Sequence, residues 1–352
     1  MLPKSLSEEL CSLKPNVDRL AYVFEIHLDV KSVSIIKSNL YEAIIKSKAK
    51  YSYGRIDRVL NDKLDQYSKI DKNIFDNLKL LYNITKKFRI KRLKNGYEFK
   101  NRLIKQKLDI NHELINTKLE ISTNSHQLIE ECMLLANMEA GKKLNTLGIY
   151  RIHEEPSYKE ISKLVEEVNT IGIKISIQST IKNTIKNIQN RSKNSIFKEE
   201  IDQLIIKAQT KAKYYIKDLG HFGLGFNKYA HFTSPIRRYS DLILHRILKS
   251  NKLPKDLDNI CEYISKQERK INSMIWDFED RKFVRWAKNN IGKTLNAKIV
   301  ETSKGIVKIS DKIEGANIYL DNYKNEKLFV EVKIVIKSIN ILNKKIVASI
   351  KT

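Results

Sequence analysis

The sequence predicts an α+β protein in which a large mixed domain precedes a small five-stranded β-barrel of the OB type. Three observations support this prediction: extended runs near the start, long helical stretches through the middle, and five short β runs in the last sixty residues. A chain of 352 residues can bury one large core and a small one. We therefore expect two domains, residues 1–290 and 291–352.

The N-terminal part is expected to contain strands followed by helices. Within residues 19–60, the run AYVFEIHL is typical of a strand, whereas YEAIIKSKAK looks helical. From about residue 60 to 95, helical apolar spacing predicts a solvated helical pair. The spaced residues are Leu60, Leu64, Ile74, Leu78, Leu81 and Ile84.

A stronger helix is predicted from about residue 125 to 143. Asn124 can cap its first backbone N–H groups, and Gln127 lies three residues further on, as in a capping box. At about 100° per residue, Glu130 falls nearly opposite the apolar face and Glu131 at its edge. On spacing alone, Glu130 is a solvated carboxylate. The apolar face comprises Leu128, Cys132, Leu135 and Ala136.

The C-terminal half combines polar helices, a glycine-rich segment, two long helices and the barrel. Residues 157–213 read as polar helices, and the three glycines within residues 220–225 indicate an unusual backbone path. Long helices are expected after Pro235 and up to about residue 289. Barrels of the OB type often bind single-stranded nucleic acid, although a purely structural barrel is an alternative. The predicted barrel strands are AKIVET, KGIVKIS, ANIYL, VKIVIKS and KIVASI.

The composition is strongly basic. The 66 Lys and Arg residues against 41 Asp and Glu residues leave a formal net charge of +25, which attracts polyanions. Nucleic acid is the leading partner class, and a coding bias towards Lys, Ile and Asn is the alternative explanation of the charge. No basic amphipathic stretch stands apart and no apolar run approaches transmembrane length, so a membrane partner is not expected.

Cysteine usage and the first residues favour the cytoplasm. Cys11, Cys132 and Cys261 are odd in number, far apart and without a CxxC pair. This pattern fits a reducing compartment and argues against a zinc site. Because MLPKSLSEEL contains no apolar signal-peptide region, we expect a cytoplasmic protein.

The segment after the glycines predicts an anion site at a helix start. Ser234 suits the N-cap and Pro235 the first helical position, so the following backbone N–H groups would lack intrahelical partners. Arg237 and Arg238 oppose the helix dipole there unless an anion such as phosphate is bound. Asp241 is placed to orient one guanidinium, and ordinary surface ion pairs are the alternative. The expected buried stripe is Ile236, Tyr239, Ile243 and Ile247.

This segment also carries a family resemblance. The run YAHFTSPIRRY at residues 229–239, with Asp241, His245 and Arg246, resembles the signature of the RNB domain. That domain is the catalytic domain of the RNase II/RNase R exoribonucleases, and the resemblance is greatest to bacterial RNase R. Ser240 stands where many members have proline.

Further pieces resemble the family in order and spacing. They are the first nineteen residues, Tyr41-Glu42-Ala43, the helix from His126 to Asn137, and RIH at residues 151–153. The resemblance covers about residues 1–290, and the last domain resembles the RNA-binding OB domain that closes these enzymes. It implies an RNB-type domain that is incomplete at its N-terminus, because Met1 matches an interior position of the family.

The resemblance implies roles for individual residues. Arg237 would hold a phosphate next to the scissile bond and is the candidate catalytic residue. Phe99 would stack on bases at the 3' end, with Tyr97 as the fallback, whereas Tyr53 would lie near the RNA sugar and Glu130 would read a 2'-hydroxyl. Core packing is the alternative for Tyr53 and Phe99. Further RNA contacts are expected from Arg238, His231 and Tyr239.

The chemistry implied by the resemblance needs Mg²⁺ held by aspartates of the form DxxxxxDxDD, which would activate water to release nucleoside 5'-monophosphates. This sequence contains no such cluster, and the acidic groups at 256–258 and 277–280 fit solvated helix faces. Three interpretations follow: a 3'-to-5' exoribonuclease represented by an incomplete chain, a non-catalytic RNA-binding protein, or half of a split enzyme. In the last, an N-terminal fragment or subunit supplies the aspartates. Single-stranded RNA is the expected partner in each.

Overall fold

The computed structural model describes residues 1–63, 69–99, 103–311 and 313–351, and over these ranges it confirms the predicted α+β class. A short π-helical segment, Ser5–Leu10, precedes the other elements. The helices are α1 (Tyr53–Leu60), α2 (Lys69–Leu93), α3 (Asn124–Lys143), α4 (Tyr158–Thr170), α5 (Ile181–Arg191), α6 (Lys198–Ala208), α7 (Tyr239–Ser250) and α8 (Leu257–Lys288). The strands are β1 (Asp18–Asp29), β2 (Ser34–Lys46), β3 (Leu103–Leu108), β4 (Leu114–Glu120), β5 (Leu147–Ile152), β6 (Lys213–Lys217), β7 (Thr294–Glu301), β8 (Ile306–Ile309), β9 (Asn317–Leu320), β10 (Glu331–Asn340) and β11 (Lys345–Ile350).

The chain divides into two compact units, each made from three segments. Between residues 60 and 95 the described residues form one long helix, α2, instead of the predicted helical pair, and Leu64 lies outside the described residues. The helices expected between residues 157 and 213 are present as α4, α5 and α6. The first unit comprises Met1–Glu98, Ser122–Glu154 and Lys211–Lys266, and the second comprises Phe99–Ile121, Glu155–Thr210 and Gln267–Thr352.

The helix predicted at YEAIIKSKAK is wrong, because most of this segment belongs to β2. The strand pairs with β1 in an antiparallel ladder, with Ile44 directly opposite Leu20. β-Branched residues such as Ile44 and Ile45 lose side-chain freedom in a helix and fit a pleated strand. Pairing over the whole length of β1 therefore outweighs the short helical pattern.

The core of the first unit lies where α3 and α7 meet the antiparallel strand pair β5–β6. Tyr150 and Leu244 are fully buried in it. One face of the β1–β2 pair covers this core, because alternate residues of a strand point the same way. The covering side chains are Tyr22, Phe24 and Leu40.

Helix α3 is capped from outside itself, so the predicted capping box is wrong. Its N-cap residue is Thr123, and the N–H of Gln127 makes the ordinary helical bond to the Thr123 carbonyl at 3.0 Å. The backbone N–H of Ser125 donates to Asp57 Oδ1 at 2.9 Å. A carboxylate from α1 thus satisfies a free N–H group at the N-terminus of α3, where the helix dipole favours negative charge.

The second unit contains the predicted five-stranded barrel, formed by the described residues between Thr294 and Ile350. The strands close in the order β10-β11-β9-β8-β7, with β9 and β11 parallel and the other pairs antiparallel. Inward residues alternate with outward ones, which is the pattern that identified the strands in the sequence. The fully buried barrel residues include Ala297, Ile299, Val307, Ile318, Ile334, Ile336 and Ala348.

The cysteines are free, and Cys261 is buried, Cys132 partly buried and Cys11 exposed. Burial raises the pKa of the Cys132 thiol to about 11 and that of Cys261 to about 12. Both thiols are therefore protonated at neutral pH, as expected of small core residues. In the described part of the chain, no helix combines the length and hydropathy needed to cross a membrane.

The glycine loop, residues 220–225, packs its backbone directly against another backbone segment of the first unit. Gly225 has φ +71°, and a Cβ on it would lie 2.4 Å from both the carbonyl carbon of Asn95 and the nitrogen of Gly96. The N–H of Tyr97 also donates to the Gly223 carbonyl at 3.0 Å. Gly225 is therefore required both for its left-handed backbone and for this close approach.

Two histidines fasten the same loop through their ring nitrogens. His153 Nδ1 accepts the N–H of Gly223 at 3.0 Å, and His221 Nδ1 accepts that of Leu224 at 3.2 Å. Burial, with His153 and Arg151 next in effect, lowers the pKa of His221 to about 3. An imidazole that accepts a hydrogen bond at Nδ1 has to be neutral, so protonating His221 conflicts with the fold.

We expect Gly225→Ala to lower the free energy of unfolding by about 3 kcal/mol, because it adds both backbone strain and a clash with Asn95 and Gly96. Gly54→Ala in α1 is the matched control, since a Cβ there has nothing within 4 Å. The control should leave stability unchanged or raise it by less than about 1 kcal/mol. Urea unfolding of the three proteins measures the difference, and equal midpoints would contradict the close-packing argument.

We also expect acid to destabilise the fold through His221. Its folded pKa lies below the usual value of 6.5, so the unfolded chain binds the extra proton and stability falls as the pH drops from 6.5 towards 3. One such group lowers the free energy of unfolding by up to about 2 kcal/mol as the pH falls from about 7.5 to about 5. His221→Asn keeps an acceptor near the Nδ1 position without titrating, so its unfolding free energy should depend less on pH. An unchanged pH dependence in this variant would count against a neutral His221.

Candidate functional site

The segment around Arg237 does not begin a helix, so the predicted N-cap at Ser234 is wrong. Residues 235–237 form a turn, and α7 begins at Tyr239 with Arg238 as its N-cap in an extended conformation. The N–H groups of Arg237 and Arg238 donate to the Ser234 carbonyl at 3.2 and 2.9 Å. These amides are therefore occupied, and the two guanidinium groups remain as the candidate anion contacts.

The side chain of Asp241 explains why the chain turns here before the helix starts. Its carboxylate is fully buried and accepts three donors: the N–H of Ser234 at 2.7 Å, Arg238 Nη2 at 2.8 Å and Ser240 Oγ at 3.0 Å. Charge-assisted hydrogen bonds of this kind are stronger than neutral ones. Together they close the segment that we call the arginine loop, residues 229–238, against the first turn of α7.

The two arginines of the loop have different surroundings. Arg238 is neutralised by Asp241, and its Nε is buried without a hydrogen-bond partner, as is the hydroxyl of Thr233. Arg237 is exposed, and within the described part of the chain no carboxylate pairs with it. The loop thus presents one uncompensated guanidinium to solvent and holds buried polar atoms without partners, a combination that suits an oxygen-rich anion.

Asn137 and His245, which the sequence reasoning did not single out for this purpose, tie the arginine loop to its helices. Asn137 Oδ1 accepts the N–H of Phe232 at 2.8 Å, and its Nδ2 donates to the Tyr229 hydroxyl at 3.0 Å. His245 Nε2 donates to the Phe232 carbonyl at 2.8 Å. The sequence does hint at the role of Asn137. It lies seven residues after Glu130 in the predicted helix, a spacing that places both side chains on one helix face.

His231 and Tyr229 are hydrogen-bonding groups of the loop rather than proton carriers near neutral pH. Burial, followed by Arg238 and Arg151, lowers the pKa of His231 to about 2, and its Nδ1 lies 2.9 Å from the Tyr214 hydroxyl. Burial raises the pKa of Tyr229 to about 12. Both side chains therefore stay neutral over the whole physiological range.

Tyr53 and Glu130 are brought to one face of α3. The Tyr53 ring stacks on His126, with centroids 3.9 Å apart, and Glu130 lies four residues after His126. Glu130 is 47% exposed, and its Oε2 lies 3.4 Å from Arg89 Nη1. Asn137, which holds the arginine loop, follows seven residues later at about 10 Å along the axis. The same face of α3 therefore carries Tyr53 and Glu130, two predicted RNA contacts, and Asn137, which binds the arginine loop.

Glu131 anchors the helix that carries this face. It is 1% exposed and takes a two-pronged contact from Arg92, with Nε at 3.1 Å and Nη2 at 2.5 Å. Arg89 reaches the same carboxylate at 2.8 Å and also binds Glu98 at 2.6 Å. Two neighbouring glutamates thus differ completely in burial, because the α2 arginines draw Glu131 into the interface between α2 and α3 and leave Glu130 at its edge.

The aromatic candidates fall in different environments. Tyr239 is 52% exposed, so its predicted place in a buried stripe is wrong, because α7 starts only at this residue. Tyr97 is 6% exposed in the first unit, which removes it as a fallback for base stacking. Phe99 is half-buried and belongs to the second unit.

The described residues do not fit a Mg²⁺ site. Among the described residues, no three His, Cys, Asp or Glu side chains are placed to hold one metal ion. Asp241, the carboxylate of the arginine loop, already accepts three donors, and Asp277 is paired with Arg281 and Lys344. Mg²⁺ requires several uncommitted oxygen ligands at about 2.1 Å, which these groups do not offer.

Known proteins that resemble this chain are RNB-domain proteins and bacterial Ribonuclease R. A family model described as the RNB domain matches residues 1–252. Ribonuclease R of Helicobacter pylori is 32% identical over 351 residues, 96% of this chain and 53% of the relative. Ribonuclease R of Mycoplasmopsis pulmonis is also 32% identical, over 93% of this chain and 47% of the relative. The chain therefore spans about half the length of these curated relatives.

The fold agrees with that of a solved relative. The structure of Mycoplasma genitalium RNase R in complex with ribose-methylated single-stranded RNA matches with a TM-score of 0.89 and 24% identity, over 99% of this chain and 60% of that one. A match of this extent shows that the two chains share their fold over the matched part. Since the RNB model covers most of the chain and the relatives share about a third of its residues, this chain belongs to the RNase II/RNase R family of RNB-domain proteins.

Proposed function

We propose that this chain holds single-stranded RNA for a 3'-to-5' exoribonuclease reaction of the RNase R kind. The observation that carries the proposal is the arginine loop, in which Asp241 locks the backbone and neutralises Arg238 while Arg237 stays exposed and pairs with no carboxylate among the described residues. A phosphodiester group is the anion that an RNA-binding family would supply there. Arg237 would stabilise the negative charge that develops at the phosphate during cleavage.

The remaining predicted contacts suit a single strand of any sequence. Phe99 would stack on bases, because every base has a π-face, whereas Tyr53 would lie near an RNA sugar and Glu130 would accept a hydrogen bond from a 2'-hydroxyl. Arg238, His231 and Tyr239 would contact the backbone around Arg237. We further propose that the RNB-type part ends near residue 290 and that residues 291–352 form the RNA-binding OB domain. The formal charge of +25 supports both parts in attracting RNA.

The hydrolytic step needs a group of metal ligands, and the described residues bring no such group together. We propose that a DxxxxxDxDD segment outside these residues holds Mg²⁺, which would activate water to release nucleoside 5'-monophosphates. That segment would belong to a longer form of the polypeptide, or to a separate N-terminal fragment or subunit. The second candidate function is RNA binding without catalysis, and the observation that favours it is the commitment of Asp241 to three donors. Free cysteines fit a cytoplasmic location.

RNA binding through Arg237 is testable by fluorescence anisotropy with a labelled oligoadenylate of about ten nucleotides. Arg237→Ala should weaken binding about tenfold and reduce the slope of log affinity against log salt by about one, because one phosphate contact is lost. Arg191→Ala, at the end of α5, removes the same charge from a site outside the loop and should bind like the parent. Equal affinity of all three proteins, or parent binding that is flat with salt, would overturn the proposed function.

The need for outside ligands is testable by hydrolysis. We expect that this chain alone, with Mg²⁺, releases no nucleoside monophosphate from 3'-labelled poly(A), whereas Helicobacter pylori Ribonuclease R assayed in parallel does. The labelled RNA should nevertheless remain bound by this chain. Monophosphate release that disappears in Arg237→Ala would show that the chain supplies its own metal ligands and would refute this part of the proposal.

A further inference from the structure

The aromatic stack of Tyr53 on His126 lies at the surface of the first unit. The two ring planes are 16° apart, with centroids at 3.9 Å, and Tyr53 is 46% exposed. The packing between α1 and α2 is made by other side chains, among them Ile56, Val59 and Phe75. A ring that has one face covered while about half of the residue is exposed has its other face available for stacking.

Hydrogen bonds between the first turns of α1 and α3 hold this stack in place. The Ser125 hydroxyl donates to the Tyr53 carbonyl at 3.2 Å, and the Ser125 N–H donates to Asp57 Oδ1 at 2.9 Å. His126 Nδ1 lies 2.7 Å from the hydroxyl oxygen of Thr123. The two helices are therefore joined next to the two residues whose rings stack.

The imidazole of His126 is oriented by two consecutive hydrogen bonds that lead to Asp57. Burial raises the pKa of Asp57, but hydrogen bonds from Thr123 and Ser125 outweigh burial and lower it below its usual value. Asp57 is therefore an ionised acceptor at neutral pH. The Thr123 hydroxyl donates its single proton to Asp57 and so accepts from His126 Nδ1–H. This contact fixes which way the ring beneath Tyr53 faces.

Glu130 lies one helical turn after His126 on the same face of α3. Residues four apart on a helix have Cβ atoms about 6 Å from each other, so the carboxylate lies close to the stack. Its side chain is 47% exposed, and its contact with Arg89 is made through Oε2 at 3.4 Å. An aromatic face beside an exposed acceptor suits a ribonucleotide, because the ring packs on the nucleotide while the carboxylate accepts the 2'-hydroxyl.

We infer that His126 is a positioning residue for the ribose of RNA: it supports the Tyr53 ring so that a nucleotide packed on this ring presents its 2'-hydroxyl to Glu130. The inference rests on the proposed function, because it takes Tyr53 and Glu130 as contacts of bound RNA. His126 acts through Tyr53, whose ring covers it. A deoxynucleotide packs on the same ring but gives the carboxylate no donor, so the three residues together favour RNA over DNA.

The test measures the affinity of the full chain for labelled oligoadenylate and for oligodeoxyadenylate of the same length. The parent should bind the RNA about tenfold more tightly than the DNA, and His126→Ala should reduce this ratio to about threefold or less. The salt slope should not change, because no phosphate contact is lost. His126→Phe keeps a ring beneath Tyr53 and should keep most of the ratio. His27→Ala, which removes an exposed histidine from β1, is the matched control and should bind both strands like the parent.

A purely structural role of His126 gives a different result, because unfolding weakens RNA and DNA binding equally. Melting temperatures identify such variants, and His126→Leu, which fills more of the space without a ring, should show the same low ratio if His126→Ala does not fold. An unchanged ratio in a folded variant without the ring, or a parent that does not prefer RNA, would show that the inference is wrong. If Arg237→Ala still loses affinity and salt slope in that case, the proposed function stands. If the ratio falls in His126→Ala while Arg237→Ala binds like the parent, the inference stands and the role proposed for the arginine loop is wrong.

Discussion

The carboxylate of Asp241 is the interaction on which the candidate site depends. A fully buried charge is costly unless it is hydrogen-bonded and paired, and Asp241 meets both conditions with the N–H of Ser234, the guanidinium of Arg238 and the hydroxyl of Ser240. These donors come from both sides of the turn before α7. Satisfying them fixes the turn, delays the helix start to Tyr239 and places Arg237 outside the carboxylate's reach.

The loop that Asp241 closes is also held at several other points, and this rigidity matters for binding. Asn137 from α3 and His245 from α7 form hydrogen bonds with the backbone of the loop at Phe232. The Tyr214 hydroxyl from β6 lies within hydrogen-bond distance of His231. A ligand that meets a preformed loop does not have to order it, so less binding free energy is lost. A neutral His231 also helps to keep the loop preformed, because a protonated imidazole would be repelled by the neighbouring guanidinium groups.

Periodicity in the sequence predicted the regular parts of the fold, because alternating and helical patterns report burial directly. It found the barrel strands, the helix around Glu130 and the contact of Asp241 with an arginine. It failed where a distant partner decides the local structure. Pairing with β1 makes most of YEAIIKSKAK a strand, and Asp57 replaces the predicted cap of α3. The ion pair with Arg92 buries Glu131, which spacing had placed only at the edge of the apolar face. None of these partners is visible from local spacing.

Under the proposed function, the charges of the arginine loop favour placing RNA binding and metal binding in different segments of polypeptide. Mg²⁺ needs carboxylates with free oxygen lone pairs, whereas a phosphate is attracted most strongly by a guanidinium that no carboxylate neutralises. A single acid cannot serve both, and Asp241 is committed to shaping the arginine loop. An acidic metal site brought up from elsewhere would find Arg237 unpaired, and the phosphate between them would balance the two charges. Under the proposed function, Arg237 would therefore belong to the segment that holds RNA, and the metal ligands would belong to another.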